Sequence, residues 1–308
     1  MRILLLGGAG FIGLNLALAL LRDGHEVHIA DAGGDAQQIV RVLAGRASLV
    51  SMAAHQTSAL LKLIDQHEFD CVVSLASSLL PSSPLAAFQT EVRELMLPVF
   101  ALVEALAERG TRFVYFSSGG TIYGPGTREA LHEGDELAPI NHYGVSKLIF
   151  ETYLAFAART RGLQHMILRP SNPFGTFQNP ARKQGLIAVA VDKALHGKPL
   201  EIWGDGSVVR DYLWVEDLAQ AFCKLLHSPA AWGQVLNVGS GQGHSICEVL
   251  AEVQLLTGRV AEIRYHPARA VDVPHMVLDI SRLRQTIPFE PRTLREALTL
   301  YIDGLKKT

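Results

Sequence analysis

The chain has 308 residues, a formal net charge of -2 at pH 7 and 48% hydrophobic residues. This length suits one or two domains with a large core. The charge excludes a protein that relies on a strongly basic surface to bind nucleic acid or an anionic membrane. No apolar run is long enough to span a bilayer, and residues 3–6 are too few for a signal-peptide core. We therefore expect a cytoplasmic protein.

Cysteine and histidine spacing predicts neither disulfides nor a metal site. Cys71, Cys223 and Cys247 are odd in number and widely spaced, so we expect reduced thiols, of which Cys71 and Cys223 are buried. The twelve histidines form no His-Glu-x-x-His or similar spacing. We therefore predict no metal.

The first predicted elements form a nucleotide-binding unit. Residues 2–6 are an apolar run typical of a buried strand, and the glycine-rich segment 7–13 follows directly. A helical repeat over 14–22 leads to a second strand over 26–30, which Asp31 closes. Such glycines let the backbone approach a pyrophosphate at a helix N-terminus. Asp31 can accept both adenosine ribose hydroxyls and would repel a 2'-phosphate, which favours NAD over NADP.

Strand and helix patterns then alternate. We predict strands at 48–52, 70–76, 112–117 and 165–168, and helices at 58–67, 95–109 and 143–162, the second of these broken near its start by Pro98. His25 and His28, which flank the second strand, are expected at the surface. The alternation predicts an α/β fold, a Rossmann-type doubly wound parallel sheet. The long loop 119–141 follows the fifth strand, where such sheets hold ligands.

The pattern becomes less regular after residue 170. We predict helices near 185–196 and 217–227, a strand over 235–241 that returns to the main sheet, and two helices and a short strand after Ser245. This divides the chain into a dinucleotide-binding domain and a smaller α/β C-terminal substrate-binding region, with a cleft between them. The first comprises residues 1–170 and a returning segment near 213–241, and the second comprises 171–212 and 242–308.

A candidate catalytic pair lies at the start of the helix predicted over 143–162. Tyr143 and Lys147 are four residues apart, so both side chains leave the same helix face. A lysine ammonium beside a phenol favours the phenolate, which can take a proton from a substrate hydroxyl. Alone, this spacing favours a surface tyrosine and a solvated lysine, because it occurs often by chance. The nucleotide-binding unit upstream favours the catalytic interpretation.

Several motifs in order identify a resemblance. The chain resembles the extended short-chain dehydrogenase/reductase superfamily, in its NAD-dependent sugar-nucleotide epimerase/dehydratase branch. Within that branch it is most similar to the UDP-galactose and UDP-N-acetylglucosamine 4-epimerases. The motifs are Gly-Gly-Ala-Gly-Phe-Ile-Gly (7–13), Phe-Ser-Ser-Gly-Gly-Thr-Ile-Tyr-Gly (116–124), Tyr143 with Lys147, Arg169-Pro-Ser-Asn172, Gly204-Asp-Gly206, Arg210-Asp-Tyr212, Asn237-Val-Gly239, and Arg269 with Asp272.

The resemblance implies roles for individual residues. Tyr143 would be the general base and acid, and Lys147 would bind the nicotinamide ribose and lower the pKa of Tyr143. The implied NAD site comprises Gly7, Gly10, Phe11, Ile12, Gly13, Asp31, Leu75, Ala76, Ser77, Ser117, Tyr143, Lys147 and Pro170. The implied substrate site comprises Ser118, Thr121, Tyr143, Asn172, Leu186, Arg210 and Arg269. Asn172 would lie near the substrate phosphates, and both arginines would clamp a nucleotide diphosphate, most simply that of a UDP-hexose.

The resemblance also implies a homodimer. Related enzymes pair the helices corresponding to 95–109 and 143–162 across a twofold axis. Both segments are apolar on more than one face, as Leu148, Phe150, Leu154 and Phe156 illustrate. The alternative is that both helices simply cover the sheet.

The chain departs from the family pattern at three places. Ala53-Ala54 stand where an Asp-Ile or Asp-Leu pair usually lies near the adenine. Glu94 or Leu95 matches a usual asparagine. In the family, a serine or threonine usually completes a catalytic triad with the tyrosine and lysine. Gly119 stands at that position, so Ser118 and Thr121 are the substitute hydroxyls. In an extended backbone, side chains two apart point the same way, which slightly favours Thr121. A bend at Gly119-Gly120, which glycines permit, would bring Ser118 there instead.

These residues favour a UDP-hexose 4-epimerase that works through a transient 4-keto sugar. A dehydratase or decarboxylase relative would carry acids just before Tyr123, where Gly120-Thr121-Ile122 stand. A net NAD-dependent reductase or dehydrogenase stays open. So does a non-catalytic regulator that binds NAD or a nucleotide-sugar, because Gly119 lacks a hydroxyl.

Overall fold

The computed structural model describes residues 1–33, 36–53, 55–125, 129–182, 185–268 and 273–306. Its strands are β1 (Arg2–Leu6), β2 (Glu26–Asp31), β3 (Ser48–Ser51), β4 (Cys71–Ser74), β5 (Arg112–Phe116), β6 (His165–Pro170), β7 (Asn172–Phe174), β8 (Leu200–Trp203), β9 (Val209–Trp214), β10 (Val235–Val238), β11 (Gly243–Ser245), β12 (Ile263–His266) and β13 (His275–Met276). Its α-helices are α1 (Phe11–Arg22), α2 (Ala36–Leu43), α3 (Thr57–His67), α4 (Leu85–Glu91), α5 (Leu97–Arg109), α6 (His142–Arg161), α7 (Leu186–His196), α8 (Val215–His227), α9 (Ile246–Thr257), α10 (Ser281–Thr286) and α11 (Leu294–Lys306).

The main sheet is parallel throughout, with strand order β10-β6-β5-β4-β1-β2-β3. This confirms the predicted Rossmann-type fold. The strand expected to return to the sheet is β10, which pairs with β6. The strand order reverses between β1 and β4, and ligands of such sheets bind at the carboxyl ends of the strands at that point.

Apolar layers cover both faces of this sheet. On one face, α1 and α8 contribute Leu16, Leu20 and Phe222 to the core, and on the other, α5 and α6 contribute Leu102 and Leu154. Each of these side chains is fully buried. The continuous apolar runs of the strands follow from burial on both faces.

The smaller region has its own core and two short sheets. In one, β9 pairs antiparallel with β11 and parallel with β7 and β13; in the other, β8 pairs with β12. Val191, Trp214 and Leu298 belong to a third apolar cluster behind these strands. This region therefore faces the carboxyl edge of the main sheet through β7 and β9.

Two predictions about helices were wrong. Pro98 does not break the helix: α4 runs through a π-helical turn at Val92–Met96 into α5, and Pro98 sits in the first turn of α5. Proline cannot donate to the preceding turn, and the π-helical turn just before Pro98 is where the regular hydrogen-bond ladder is already interrupted. After Ser245 the structure has α9, α10 and α11 rather than two helices. No helix in the described ranges is long and apolar enough to cross a membrane.

The prediction that His25 and His28 lie at the surface was also wrong. Their exposed fractions are 7% and 5%. The His28 ring packs 4.7 Å from the ring of His67 and 5.0 Å from that of Phe69, and its Nε2 lies 2.8 Å from Glu26 Oε1. Burial is tolerated because the ring is covered by aromatic groups while its polar atom keeps a partner. Cys71 and Cys223 are buried, Cys247 is exposed, and all three are free thiols.

Candidate active site

A cleft of about 1770 Å³ opens at the carboxyl edge of the main sheet and extends to the smaller sheets. It brings together all predicted site residues that the structure describes. These are Gly7, Gly10, Phe11, Ile12, Gly13, Asp31, Leu75, Ala76, Ser77, Ser117, Ser118, Thr121, Tyr143, Lys147, Pro170, Asn172, Leu186 and Arg210. The predicted residues Arg269, Asp272 and Ala54 lie outside the described residues.

The glycine-rich turn is shaped by close backbone contacts. At Gly13 a Cβ atom would lie 2.4 Å from the Gly8 carbonyl oxygen, so only glycine lets α1 approach the turn this closely. At Gly10 the nearest atom to such a Cβ is 3.9 Å away, which leaves this face open to the cleft. In the described chain, no side chain caps the first amides of α1. Those N–H groups are thus available to an anion.

Asp31 lies at the end of β2 and lines the same cleft. One carboxylate oxygen accepts a hydrogen bond from the Ala9 amide at 2.9 Å, and the other accepts one from the Gly33 amide at 2.9 Å. A carboxylate has about four lone-pair positions, so both oxygens can still accept hydroxyl donors.

The candidate catalytic pair lies at the start of α6. Asn141 caps this helix by accepting a hydrogen bond from the Gly144 amide at 2.8 Å, which fixes where the helix begins. Lys147 Nζ donates to the Phe116 carbonyl at 3.0 Å and lies 5.3 Å from the centre of the Tyr143 ring. The helix therefore places both side chains in the cleft beside the end of β5.

Burial dominates the electrostatics of this pair. It raises the pKa of Tyr143 to about 12, against a hydrogen bond with the Ser118 hydroxyl that acts to lower this pKa. It lowers the pKa of Lys147 to about 8, against the charges of Glu91 and Glu151. Burial outweighs the Ser118 hydrogen bond here, and the effect of Lys147 on the pKa of Tyr143 stays a prediction. Tyr143 must therefore lose its own proton before it can act as a base.

The loop after β5 does not have the extended backbone expected for it. The amides of Thr121 and Ile122 donate to the Ser118 carbonyl at 3.5 and 3.2 Å, so residues 118–122 form a turn. Gly119 and Gly120 allow this bend. Ser118 is the hydroxyl that contacts Tyr143, whereas the buried Thr121 hydroxyl has no partner among the described residues. The structure thus favours Ser118 over Thr121 as the triad hydroxyl.

The space beside Gly119 is already filled. A Cβ atom at this position would lie 2.6 Å from Leu278 Cδ1 and 3.0 Å from the Arg169 carbonyl oxygen. A side chain at residue 119 would therefore point into the fold and not towards Tyr143. Sequence reasoning did not find Leu278, because it is 159 positions away in the sequence.

Polar residues continue the cleft beyond Tyr143. Asn172, in β7, donates its side-chain amide to the Asp211 carbonyl at 2.9 Å, and its Oδ1 faces Gly120. Arg210 lines the cleft from β9 and donates to the Val209 carbonyl at 2.8 Å. Leu186 begins α7 at the same wall.

Sequence reasoning missed a buried acid in the cleft, Glu91. Glu91 lines it and is 1% exposed, close enough to act on both Lys147 and Tyr143. The sequence pointed instead to Glu94, which is exposed on the next turn, or to Leu95. Residue polarity alone could not show which of Glu91 and Glu94 is buried, because the π-helical turn between α4 and α5 interrupts the helix periodicity.

Comparison with known proteins identifies the family. Residues 3–239 match the NAD dependent epimerase/dehydratase family. The chain belongs to this family. It is 31% identical over 332 residues to UDP-glucose 4-epimerase of Azospirillum brasilense, covering all of this chain and 90% of that protein. It is 26% identical over 310 residues to dTDP-4-dehydro-6-deoxyglucose reductase of Escherichia coli, covering 99% of this chain and 95% of that protein.

Solved structures of family members have the same fold. The UDP-glucose 4-epimerase of Thermotoga maritima, solved with UDP-glucose, is 28% identical, with a TM-score of 0.90, over 100% of this chain and 99% of that one. That of Thermus thermophilus, solved with NAD, is also 28% identical, with a TM-score of 0.88, over 99% of both chains.

The family cofactor, NAD, fits the residues present. The open face at Gly10 and the uncapped amides of α1 suit its pyrophosphate, and Asp31 suits its adenosine ribose. The buried hydroxyls of Ser117 and Ser171 line the cleft at the ends of β5 and β6 without a partner in the described ranges. Unpaired buried hydroxyls need an explanation, and a polar ligand supplies one.

We expect Asp31→Ala to narrow the preference for NAD over NADP. The variant should lose ~10- to 100-fold in NAD affinity, the value of a hydrogen bond to a charged group, and should bind NADP no worse than the parent. Fluorescence titration with both cofactors measures this, with Asp31→Asn as the variant of equal shape and no charge. Equal binding of NAD and NADP by the parent protein would show that Asp31 does not select the cofactor.

Proposed function

We propose that this protein is an NAD-dependent nucleotide-sugar epimerase that inverts C4 of a UDP-hexose through a transient 4-keto sugar. The observation that carries the proposal is the order of groups along one cleft. All line one cleft: the glycine turn and Asp31 follow β1 and β2 of the main sheet, Tyr143 and Lys147 lie beside the end of β5, and Asn172 and Arg210 stand on the paired strands β7 and β9 of the smaller region. A nucleotide-sugar whose diphosphate lies at Asn172 and Arg210 would have its hexose beside Tyr143.

The chain's own residues would handle the proton. Bound NAD supplies the hydride acceptor and donor for C4. In its phenolate form, which the Lys147 ammonium favours, Tyr143 takes the proton from the C4 hydroxyl and later returns it, while the Ser118 hydroxyl orients the C4 oxygen. The keto sugar turns its other face to the cofactor by rotation about its phosphate linkage. Arg210 holds the diphosphate during this rotation, because a guanidinium fork suits two phosphate oxygens.

The turn after β5 argues against a dehydratase. An elimination at C6 needs an acid or base beside the sugar in addition to the tyrosine. Residues 118–122 are two hydroxyl residues, two glycines and an isoleucine, with no acid among them, and the position of Gly120 faces Asn172. A net reductase remains the second candidate, supported by the similarity to the Escherichia coli reductase.

Product analysis and cofactor stoichiometry test the proposal together. The purified protein with NAD should convert UDP-galactose and UDP-glucose into each other, with no net accumulation of NADH. NADH consumed or formed in proportion to sugar would instead assign a reductase or dehydrogenase. If UDP and UDP-sugars do not bind at millimolar concentration, the proposed epimerase activity is refuted and a non-catalytic regulator is favoured.

We also propose that two copies pair through α5 and α6. Phe150 and Leu154 face the sheet and are buried, but Leu97 and Phe156 are 58% and 44% exposed. The ring of Tyr153 lies 5.8 Å from that of Phe156 and stacks on Phe100 of α5 at 3.9 Å, so the aromatic surface spans both helices. The helices thus carry more apolar surface than covering the sheet requires.

Phe156→Glu should convert the dimer into a monomer, because it places a charge in the proposed apolar contact. Light scattering at micromolar concentration gives the mass. Leu255→Glu is the matched control, since Leu255 is 64% exposed on α9, away from this surface. A monomeric mass for the parent protein would refute the assembly.

A further inference from the structure

Glu91 is a buried acid held by donors from separate parts of the chain. Its carboxylate accepts hydrogen bonds from the amide and hydroxyl of Ser78, at 2.6 and 2.8 Å, and from the hydroxyl of Ser146, at 2.7 Å. The Ser77 hydroxyl adds a longer contact of 3.3 Å. Glu91 therefore joins the end of α4 to the loop after β4 and to α6.

These donors are neutral, so they orient the carboxylate without cancelling its charge. Ser146 immediately precedes Lys147 in the sequence and so brings Glu91 to the turn of α6 that carries this lysine. The other acid that acts on Lys147 is Glu151, which has a weaker effect. Arg169 donates two hydrogen bonds to Glu151, at 3.0 and 2.6 Å, and compensates its charge.

We propose that Glu91 is a positioning residue that keeps Lys147 in its charged form in the NAD cleft. A buried ammonium is costly unless an opposite charge lies near it. Glu91 supplies that charge from a rigid, hydrogen-bonded position. The consequence for cofactor binding rests on the proposed contact between Lys147 and the nicotinamide ribose.

The direction of the pH effect follows from the groups around Lys147. These are Glu91 from α4, Tyr143 and Glu151 from α6, and Tyr115 of β5, whose ring centre lies 4.9 Å from Nζ. Burial raises the pKa of both tyrosines, so they stay neutral near pH 8. Lys147, with a pKa of about 8, loses its charge as pH rises through that value. Removing the Glu91 charge lowers this pKa further and moves the loss of charge to lower pH.

Direct titration of Lys147 tests the proposal without NAD or turnover. Isotope-labelled lysine followed by NMR gives the midpoint, and Lys147→Arg assigns the signal. In Glu91→Gln the midpoint should fall by about one pH unit or more, the effect of one nearby opposite charge. Glu94→Gln, which removes an exposed acid of the same cleft, should leave it unchanged. An unchanged midpoint in Glu91→Gln would overturn the proposal.

Two further measurements separate the possible failures. Glu91→Asp keeps the charge, so its midpoint should lie between those of the parent and Glu91→Gln. Should Glu91→Gln fail to fold, the parent still decides, because a parent midpoint below pH 7 would mean that Glu91 does not keep Lys147 charged. The NAD affinity of Glu91→Gln should decline at lower pH than that of the parent. A shifted midpoint with an unshifted affinity would uphold the role of Glu91 and refute the contact between Lys147 and NAD.

Discussion

Tyr143→Phe should lower turnover by about 10²- to 10⁴-fold, the usual contribution of a positioned acid and base. The substitution removes only the phenol oxygen. The phenyl ring that remains can still occupy the space beside Lys147, whose Nζ lies 5.3 Å from the centre of the Tyr143 ring. NAD affinity and the thermal melting temperature should therefore stay close to those of the parent. A coupled assay of UDP-galactose conversion measures the loss.

Tyr115→Phe is the matched control for this substitution. It also removes a phenol oxygen near Lys147, but this hydroxyl is buried below the cleft and has no partner among the described residues. Its turnover should stay near that of the parent. If Tyr143→Phe retained full turnover, Tyr143 would not be the acid and base, whatever its position in the cleft.

The sequence was sufficient to predict the main sheet. β1, β4 and β6 are short, mostly apolar runs buried on both faces, and such runs alternating with helical patterns leave few alternatives. The glycine turn was equally predictable, because Gly13 meets a steric requirement that no other residue satisfies. These features depend on neighbours that are close in the sequence or on the strand pattern.

Features that depend on distant contacts could not be predicted. His28 looks polar in the sequence but is covered by His67 and Phe69, about forty positions away. The serines that donate hydrogen bonds to Glu91 come from the loop after β4 and from α6. The preference for Thr121 assumed an extended backbone at residues 118–122, but the glycines there permit a bend as well, and only tertiary contacts select one form. Which hydroxyl lies beside Tyr143 was therefore the least predictable part of the candidate site.

Ser118→Ala should lower turnover by about ten- to thousandfold, the scale of one lost donor at a site of developing charge. The Ser118 hydroxyl bonds to Tyr143 and acts to lower the pKa of that phenol. Its loss should raise this pKa further, so that the rising limb of kcat/KM moves to higher pH. Turnover measured across pH, with KM determined separately, distinguishes this from a simple loss of substrate binding.

Thr121→Val is the matched variant, because it removes the other hydroxyl of the same turn without changing its shape. We expect a smaller loss than for Ser118→Ala, since the Thr121 hydroxyl has no partner in the described ranges. Gly119→Ser should not compensate for Ser118→Ala, because its Cβ atom would collide with Leu278. If Thr121→Val were inactive while Ser118→Ala kept full turnover and an unshifted pH profile, Thr121 would be the triad hydroxyl. The turn would then have to open when substrate binds, and the extended backbone first expected from the sequence would be the form that the bound sugar selects.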